Sequence, residues 1–584
     1  MNKNVKKILS FRTVLVLGFI ACLCCIVPFT RQQIISLMEG FLGRSLRDLQ
    51  KWDVILIHSM LFFATLIAFW YFLWYTKEGK RTYNCMLEKT KGAFSLPYTK
   101  KYLLALCIIY LISYWALLRA NYEHADDVRR VYSGHKAWVG SSRFVSETLA
   151  VFLHTNFFLN DISPLGHLWA IAVLVIASYL LAYIVMDGKI TKLSLLASCM
   201  VGVSPYYFSN FAYKYDSPYM ALSILFVIFP FLFTKKMRAY IASSLLCLIL
   251  VCTSYQAANS IYIILTIFTA SRMWAEKTRG KDMARFIGVS MLCYLAAMLF
   301  FKLFLLVSDE STDTHDGSEL ALGAEMFSVF WENLKSYTKI SLSDFGNIWL
   351  KLFAAAALVL FPYSFACKSK QHRGLSAAVS LPAFLLMFVF SQGAYLLLTH
   401  PFFSSRTFMG FDVLLALIAI VDVGYVADKK EFLKVHGAVI ACLVYGMCVS
   451  VAIFGNVESK WKEYETFRFT ILMEDLNHIV DPSAKNSIYI GGVTGAPGKI
   501  RMERKNYGLE SDGGYSPNLT RYLVQNWNMD FTFLSGLSLE ELDFTPEFKK
   551  QLTDLPLILD TYYHTIYGSG SQYYVYLKNP QIKD

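Results

Sequence analysis

The amino-acid sequence predicts a mainly α-helical protein, a polytopic bundle of transmembrane helices with a small α/β domain at its C-terminal end. Three observations predict it. Hydrophobic residues make up 55% of the 584 and charged residues only 17%, well below the roughly 25% charge of a soluble domain. The apolar residues gather in runs, many of them near the length of about 20 residues that a helix needs to cross a bilayer core. Lysine and arginine concentrate in short segments between alternate runs, the pattern that sets membrane orientation. Disorder, which needs low hydrophobicity, is excluded. The net charge of +12 lies in those short segments rather than on one basic surface, so nucleic acid is not an expected partner.

Thirteen spans are predicted, at residues 11–30, 52–75, 102–119, 165–186, 193–209, 217–234, 239–252, 255–270, 286–306, 346–366, 376–399, 408–427 and 435–454. The first has a basic start and an apolar core, but Phe19 suits a cleavage site poorly, so an uncleaved helix is expected rather than a signal peptide. The pair 239–252 and 255–270 is short and reads either as a tight hairpin or as a re-entrant element. The segment 76–101 holds seven basic residues, and with the N-terminus and the turns at Lys189, Lys235, Arg272 to Arg285, Lys368 and Lys429 it falls on one side. That side is assigned to the cytoplasm. The loops 120–164 and 307–345 and the tail from 455 then lie outside. The organisation expected is a two-span extension over 1–100, a transmembrane core over 101–454 and an extracytoplasmic α/β domain over 455–584.

The tail carries 13 Lys and Arg against 17 Asp and Glu, so the basic excess belongs wholly to the first 454 residues. Phe467, Ile471, Leu472, Leu476 and Ile479 have helical spacing. Ser487–Ile490 and Tyr573–Leu577 read as strands, and Gly491-Gly492 and Gly513-Gly514 as turns. Asn518-Leu519-Thr520 fits a short glycosylation sequon. The 12 cysteines end at Cys448 and have no zinc spacing, so neither a disulfide framework in the tail nor a metal site is expected.

Ionisable residues near membrane depth are costly and mark function by default. Four clusters stand out on the external side. The first, Glu123-His124-Ala125-Asp126-Asp127, holds paired carboxylates, one of which can serve as a base. The plain reading is a solvated loop beside Arg129 and Arg130. The stretch that follows, Trp138 to Asn160, is apolar, holds Arg143 and Glu147, and reads as an interfacial helix. The second, Tyr213-Lys214-Tyr215-Asp216-Ser217-Pro218, offers either an ion pair or a cation for a lipid phosphate, with Pro218 starting the next helix. The third, Thr253-Ser254-Tyr255-Gln256, either bonds between helices or faces a sugar hydroxyl through Gln256. In the fourth, His400 to Arg406, the arginine either snorkels or holds a phosphate with its planar fork. No Walker, Rossmann, nucleophile-elbow or HExxH motif is present, which argues against an ATP-driven pump and against a cytoplasmic nucleotide-sugar site.

These clusters together resemble the type II O-antigen glucosyltransferases, the Gtr family of polytopic bacterial glycosyltransferases. The matching stretches are Ala125-Asp126-Asp127 with Arg130 and Gly134, Trp138 through Arg143 to Glu147, Asp161 to Leu165, Ser209 to Leu222, and Ser254 to Ala258. The resemblance covers residues 120 to about 270 in order and spacing, and residues 1–100 look like an addition to it. It implies a GT-C-like enzyme at the outer face of the bacterial inner membrane. Such an enzyme moves a sugar from an undecaprenyl-phosphate donor to O-antigen or another envelope glycan, with inversion. By the same resemblance Asp126 or Asp127 is the base, no cofactor is needed, and a divalent metal is often unnecessary. Arg143, Lys214 and Arg406 are expected to hold the donor phosphate, and Glu123, Arg130, Tyr215, Asp216 and Gln256 to bind sugar or acceptor. A companion flippase and a donor synthase are the expected protein partners. The rival expectations are a transporter or flippase of a lipid-linked sugar, which needs a charged path through the bilayer, and a non-catalytic scaffold that binds through its tail.

Overall fold

The computed structural model describes residues 73–138, 141–307, 347–492 and 554–579, parts of 320–345 and 494–552, and scattered residues before 73. The expected first span, most of the second, residues 308–319 of the loop 307–345, Gly513-Gly514 and the Asn518 sequon lie outside the described residues.

The first element with described bounds is α1 (Lys77–Phe94), a polar helix capped by Thr76, whose side chain accepts from the Gly79 N–H at 2.8 Å. After a turn at Leu96-Pro97 comes α2 (Thr99–Ala120), which ends at Asn121 in the left-handed conformation. Two short helices follow, α3 (Asp126–Ser133) and α4 (Phe144–Leu153), and then the long α5 (Leu165–Val185). The expected single span at 193–209 is instead broken. α6 (Lys192–Ser198) runs into a 3₁₀ turn at Cys199–Val201, the chain bends, and α7 (Tyr207–Ala212) begins. Pro205 disfavours helix at the residue before it. The Ser204 hydroxyl accepts from the N–H groups of Tyr206 and Tyr207 at 3.2 and 2.8 Å, which stabilises the bend. A side chain at Gly202 would meet Leu174 and Tyr110, so the bend can sit tightly against α2 and α5.

α8 (Ser217–Ile228) starts with Pro218 in its first turn and tightens into a 3₁₀ segment at Phe229–Phe233, where Pro230 lacks an N–H. α9 (Met237–Cys252) and α10 (Ser260–Ala275) form a helical hairpin around Thr253 to Asn259. α11 (Gly280–Val307), α12 (Met326–Ser343), α13 (Ile348–Lys368) and α14 (Arg373–Val389) follow. α15 (Met409–Gly424) is surrounded by protein on nearly every side. α16 (Lys430–Ile479) is 50 residues long and runs without a break through residue 454, where the core was expected to end.

Six helices among the described residues are long and apolar enough to cross a membrane: α2, α5, α11, α13, α14 with its 3₁₀ extension, and α16. The remaining predicted spans within the described residues are shorter elements. Composition alone does not separate such shorter helices from full-length ones, because an apolar run reads the same whether protein or lipid covers it.

The C-terminal sheet has strands β1 (Ser487–Gly492), β2 (Leu539–Glu541), β3 (Leu557–Asp560), β4 (His564–Ser569) and β5 (Gln572–Leu577) in the order β2-β1-β5-β4-β3. β1 pairs in parallel with β2 and β5, and the other pairs are antiparallel. Gly491-Gly492, expected as a turn, closes β1 instead, and Gly492, at φ +95°, lies where a side chain would collide with the Leu577 backbone. Leu472 and Leu476 of α16 pack on Ile488, Ile490, Ile566 and Val575. Buried Arg468 pins helix to sheet by donating to the carbonyls of Thr494, Tyr563 and Lys578 at 2.8, 2.7 and 3.0 Å.

Candidate active site

Four separate stretches of chain converge at one end of α2, α8 and α10. The first is α3, which the positive φ of Ala125 turns sharply out of the preceding loop so that Asp126 and Asp127 occupy its first turn. Carboxylates are favoured there by the helix dipole. Gly134, at φ +66°, ends α3 and hydrogen-bonds through its carbonyl to the Leu159 N–H at 2.9 Å. That bond closes the loop over which α4 lies.

The two aspartates have opposite surroundings. Asp127 is fully buried, and its Oδ2 accepts from the Lys214 backbone N–H at 2.8 Å. Burial, aided by nearby Asp216, pushes its carboxyl well above the usual carboxylate range against the pull of Arg130 and the Lys214 N–H. Asp126 is exposed. The protein around it works against its charge, but Arg130, Arg406, Arg143 and His124 outweigh this and hold its carboxyl below the usual range. Neighbouring carboxylates driven apart in this way commonly hold different roles.

Asp216, at the start of α8, is the hub. It accepts from Arg130, from the Trp138 indole N–H at 2.6 Å, and lies 3.5 Å from Arg143. Arg130 also faces Asp127 at 3.7 Å and lies over the Trp138 ring at 4.9 Å. Two further arginines frame the space beside Asp126. Arg143 stacks on Tyr255 at 4.8 Å, and its Nε is a buried donor with no hydrogen-bond partner among the described residues. Arg406 donates to the Tyr213 hydroxyl at 2.8 Å and lies over the rings of Tyr213 and Phe402 at 5.2 and 5.0 Å. Its carbonyl receives the Asn210 amide at 2.9 Å and the Tyr255 hydroxyl at 3.2 Å, so the His400–Arg406 segment is fastened to α7 and to the hairpin turn.

Of the residues singled out from sequence, Asp126, Asp127, Arg130, Arg143, Asp216 and Arg406 therefore form one cluster. Lys214 sits at its edge with its side chain buried. Its ammonium lies 2.5 Å from Glu123 and 3.6 Å from Asp161, rather than pairing with Asp216. Gln256 donates to the Ser141 carbonyl at 3.0 Å, which positions the loop leading to Arg143. Tyr215 is buried among Trp138, Leu159 and Tyr219, with His154 stacked on it at 5.8 Å.

Sequence reasoning missed three features. Glu458 of α16 contacts His124 Nδ1 at 2.9 Å, a contact across 334 positions with no local signal. Lys136 and Glu147 form a buried pair at 2.9 Å that fixes α4. Asp412 and Asp422, buried on α15, were legible as charges inside an apolar run. Among the described residues, no group of three or more His, Cys, Asp and Glu side chains is arranged to hold a metal ion.

No curated protein and no solved structure is similar enough to this chain to count as a match. Residues 115–417 match the family described as Glucosyl transferase GtrII. This region takes in the whole α3–α8 arrangement, the hairpin turn and Arg406. With more than half of its length matching in this way, the chain belongs to the GtrII glucosyl transferases and is a membrane glucosyltransferase of cell-envelope glycan synthesis.

Proposed function

We propose that the protein transfers glucose, with inversion, from a polyprenyl-phosphate donor to O-antigen or another envelope glycan at the outer face of the inner membrane. One observation carries this reading. A solvent-facing carboxylate held in its charged form, Asp126, stands beside two arginines, one of which has a buried donor with no partner among the described residues. A lipid-linked sugar phosphate needs cations at its leaving group and a base facing the water-borne acceptor.

In this reading Asp126 accepts the proton of the attacking acceptor hydroxyl as the new glycosidic bond forms and the bond to the phosphate oxygen breaks. Arg143 and Arg406 take up the charge left on the departing phosphate, a task suited to planar guanidinium groups. Asp127 and Asp216 are positioning residues. Asp127 holds the 213–216 backbone, and Asp216 aligns Arg130 and Arg143. Lys214 serves the scaffold through Glu123 and Asp161. Metal ion and cofactor are absent from this scheme, since a single phosphate can be neutralised by the two arginines. The bundle is GT-C-like, with the N-terminus cytoplasmic and the C-terminal sheet outside, and the donor synthase and flippase act upstream.

The test is transfer of labelled glucose from synthetic polyprenyl-phosphate glucose to envelope glycan by purified protein. Wild-type transfer that falls by about 10²–10⁴-fold in Asp126→Asn, the usual worth of a general base, supports the reading. Full transfer by Asp126→Asn removes the base assignment. Absence of wild-type transfer from any polyprenyl-phosphate sugar, with a suitable acceptor present, removes the donor class.

A further inference from the structure

α1 lies before the region that matches the family, and nothing in the transfer reaction uses it. It carries five Lys and Arg side chains against two Glu in 18 residues. Its buried face is small, at Gly79, Thr82 and Ala93. It is nonetheless well fixed. Glu78 pairs with Arg238, and the Ala93 carbonyl accepts from the Tyr179 hydroxyl at 2.7 Å.

Between α1, Tyr183 of α5 and the turn before α9 is an open cavity of about 540 Å³. Its lining includes Arg81, Asn84, Glu88 and Lys89 from α1, with Tyr183 and Lys236 from the core. Among the described residues, the ammonium groups of Lys89 and Lys236 have no hydrogen-bond or ion-pair partner, and Arg81 meets only Glu78, at 3.6 Å. Three cations from two separate stretches thus share one cavity with a single carboxylate. Asn84 and Tyr183 add neutral donors. Like charges gathered around a cavity are held at a cost unless an anion enters. Just before α1, Trp70, Tyr71, Trp74 and Tyr75 are exposed, as aromatic side chains are at the level of lipid headgroups. The volume lies within the range of small-ligand sites.

We infer that this cavity binds a phosphate-bearing anion at the membrane surface, either the headgroup of an anionic phospholipid or free phosphate. The cations fall on the side that the Lys/Arg count assigns to the cytoplasm, where anionic lipid is recognised by such basic pockets. The bound anion ties α1 to the core and gives the segment before residue 100 a role apart from catalysis.

The test uses the full-length protein in detergent, titrated with phosphatidylglycerol or phosphatidylcholine and read by native mass spectrometry. The wild type is expected to retain phosphatidylglycerol over phosphatidylcholine. The double variant Lys89→Gln, Lys236→Gln should bind phosphatidylglycerol about tenfold more weakly, from roughly the worth of one or two surface lysines. The control Lys281→Gln, Lys370→Gln removes the same charge elsewhere on that side and should stay within about twofold. Displacement of the lipid by millimolar inorganic phosphate supports the site with the free anion as its ligand, and resistance to it supports the site with the lipid as its ligand. Equal loss in both double variants, or no preference for the anionic lipid in protein of unchanged melting temperature, overturns the inference.

Discussion

Asp127 offers the sharpest test of how this site is built, because its removal can be graded. Its Oδ2 accepts the Lys214 N–H at 2.8 Å in a fully buried setting. In Asp127→Ala that N–H is left buried without an acceptor, which costs about 1–3 kcal/mol, and a cavity opens as well. The loss should displace residues 213–216. That segment supplies both the Tyr213 hydroxyl that holds Arg406 and the Asp216 carboxylate that faces Arg143. Transfer should therefore fall by about 100-fold or more, with a lower melting temperature. Asp127→Asn should behave otherwise. Its amide oxygen can accept the same N–H, and burial already disfavours the charge of Asp127. Arg130 loses a partner at 3.7 Å but keeps Asp216. Turnover is expected within about tenfold of wild type, equivalent to no more than about 1.4 kcal/mol. The assay is labelled-glucose transfer with a thermal melt of each variant in the same detergent. If Asp127→Asn abolishes transfer while its melt is unchanged, Asp127 carries chemistry and the division of roles argued above is wrong.

The remaining predictions concern charge and anchoring. The protein packed around Asp126 raises its pKa, but Arg130, Arg406, Arg143 and His124 outweigh this and lower it, so the base stays ionised until the pH falls below the ordinary aspartate range. The acid limb of kcat/KM should lie below the ordinary aspartate range, and Arg406→Gln, which removes a lowering charge, should move that limb to higher pH. A limb that moves down, or does not move in a variant that still transfers, would contradict the assignment. Arg143→Gln and Arg406→Gln should raise the donor KM by about tenfold or more. Lys214→Gln should mainly lower the melting temperature, since it breaks a largely buried pair worth about 3–5 kcal/mol to disrupt; a donor KM that rises as steeply in Lys214→Gln would return this lysine to the phosphate. Arg468→Ala removes the donor to three carbonyls and should make residues beyond 480 sensitive to protease while leaving transfer of the retained core measurable. Unchanged digestion would show that the Leu472 and Leu476 contacts suffice.

Much of this arrangement was legible in the sequence, and the exceptions have physical causes. The helical bundle, the start of α8 at Pro218 and two of the strands follow from local periodicity and backbone chemistry. The bend at Ser204 was hidden inside an apolar run, although Gly202 and Pro205 marked it. That α15 is wrapped in protein was not legible, because hydropathy cannot distinguish a helix covered by protein from one covered by lipid. In the candidate site, clusters far apart in sequence pointed to their own members. Their pairing was another matter. Lys214 meets Glu123 across 91 positions rather than Asp216 two residues away, and Glu458 reaches His124 from beyond the matched region. The unequal fate of Asp126 and Asp127 also needed three dimensions, since adjacent residues on a helix differ by about 100° in direction.

α16 also has a consequence for how the two ends of the molecule are indexed to each other. The same unbroken helix touches His124 through Glu458 and grips the sheet through Arg468, ten residues later. Phase is thereby transmitted along it as along a crankshaft. One residue inserted between those two points would turn the sheet by about 100° and advance it by about 1.5 Å, with no linker to absorb the error. Seven inserted residues, close to two full turns, would restore the angle and lengthen the shaft by about 10 Å. Substitutions along this stretch leave the indexing intact, whereas insertions and deletions shift it, so the length of α16 is itself a structural parameter of the protein.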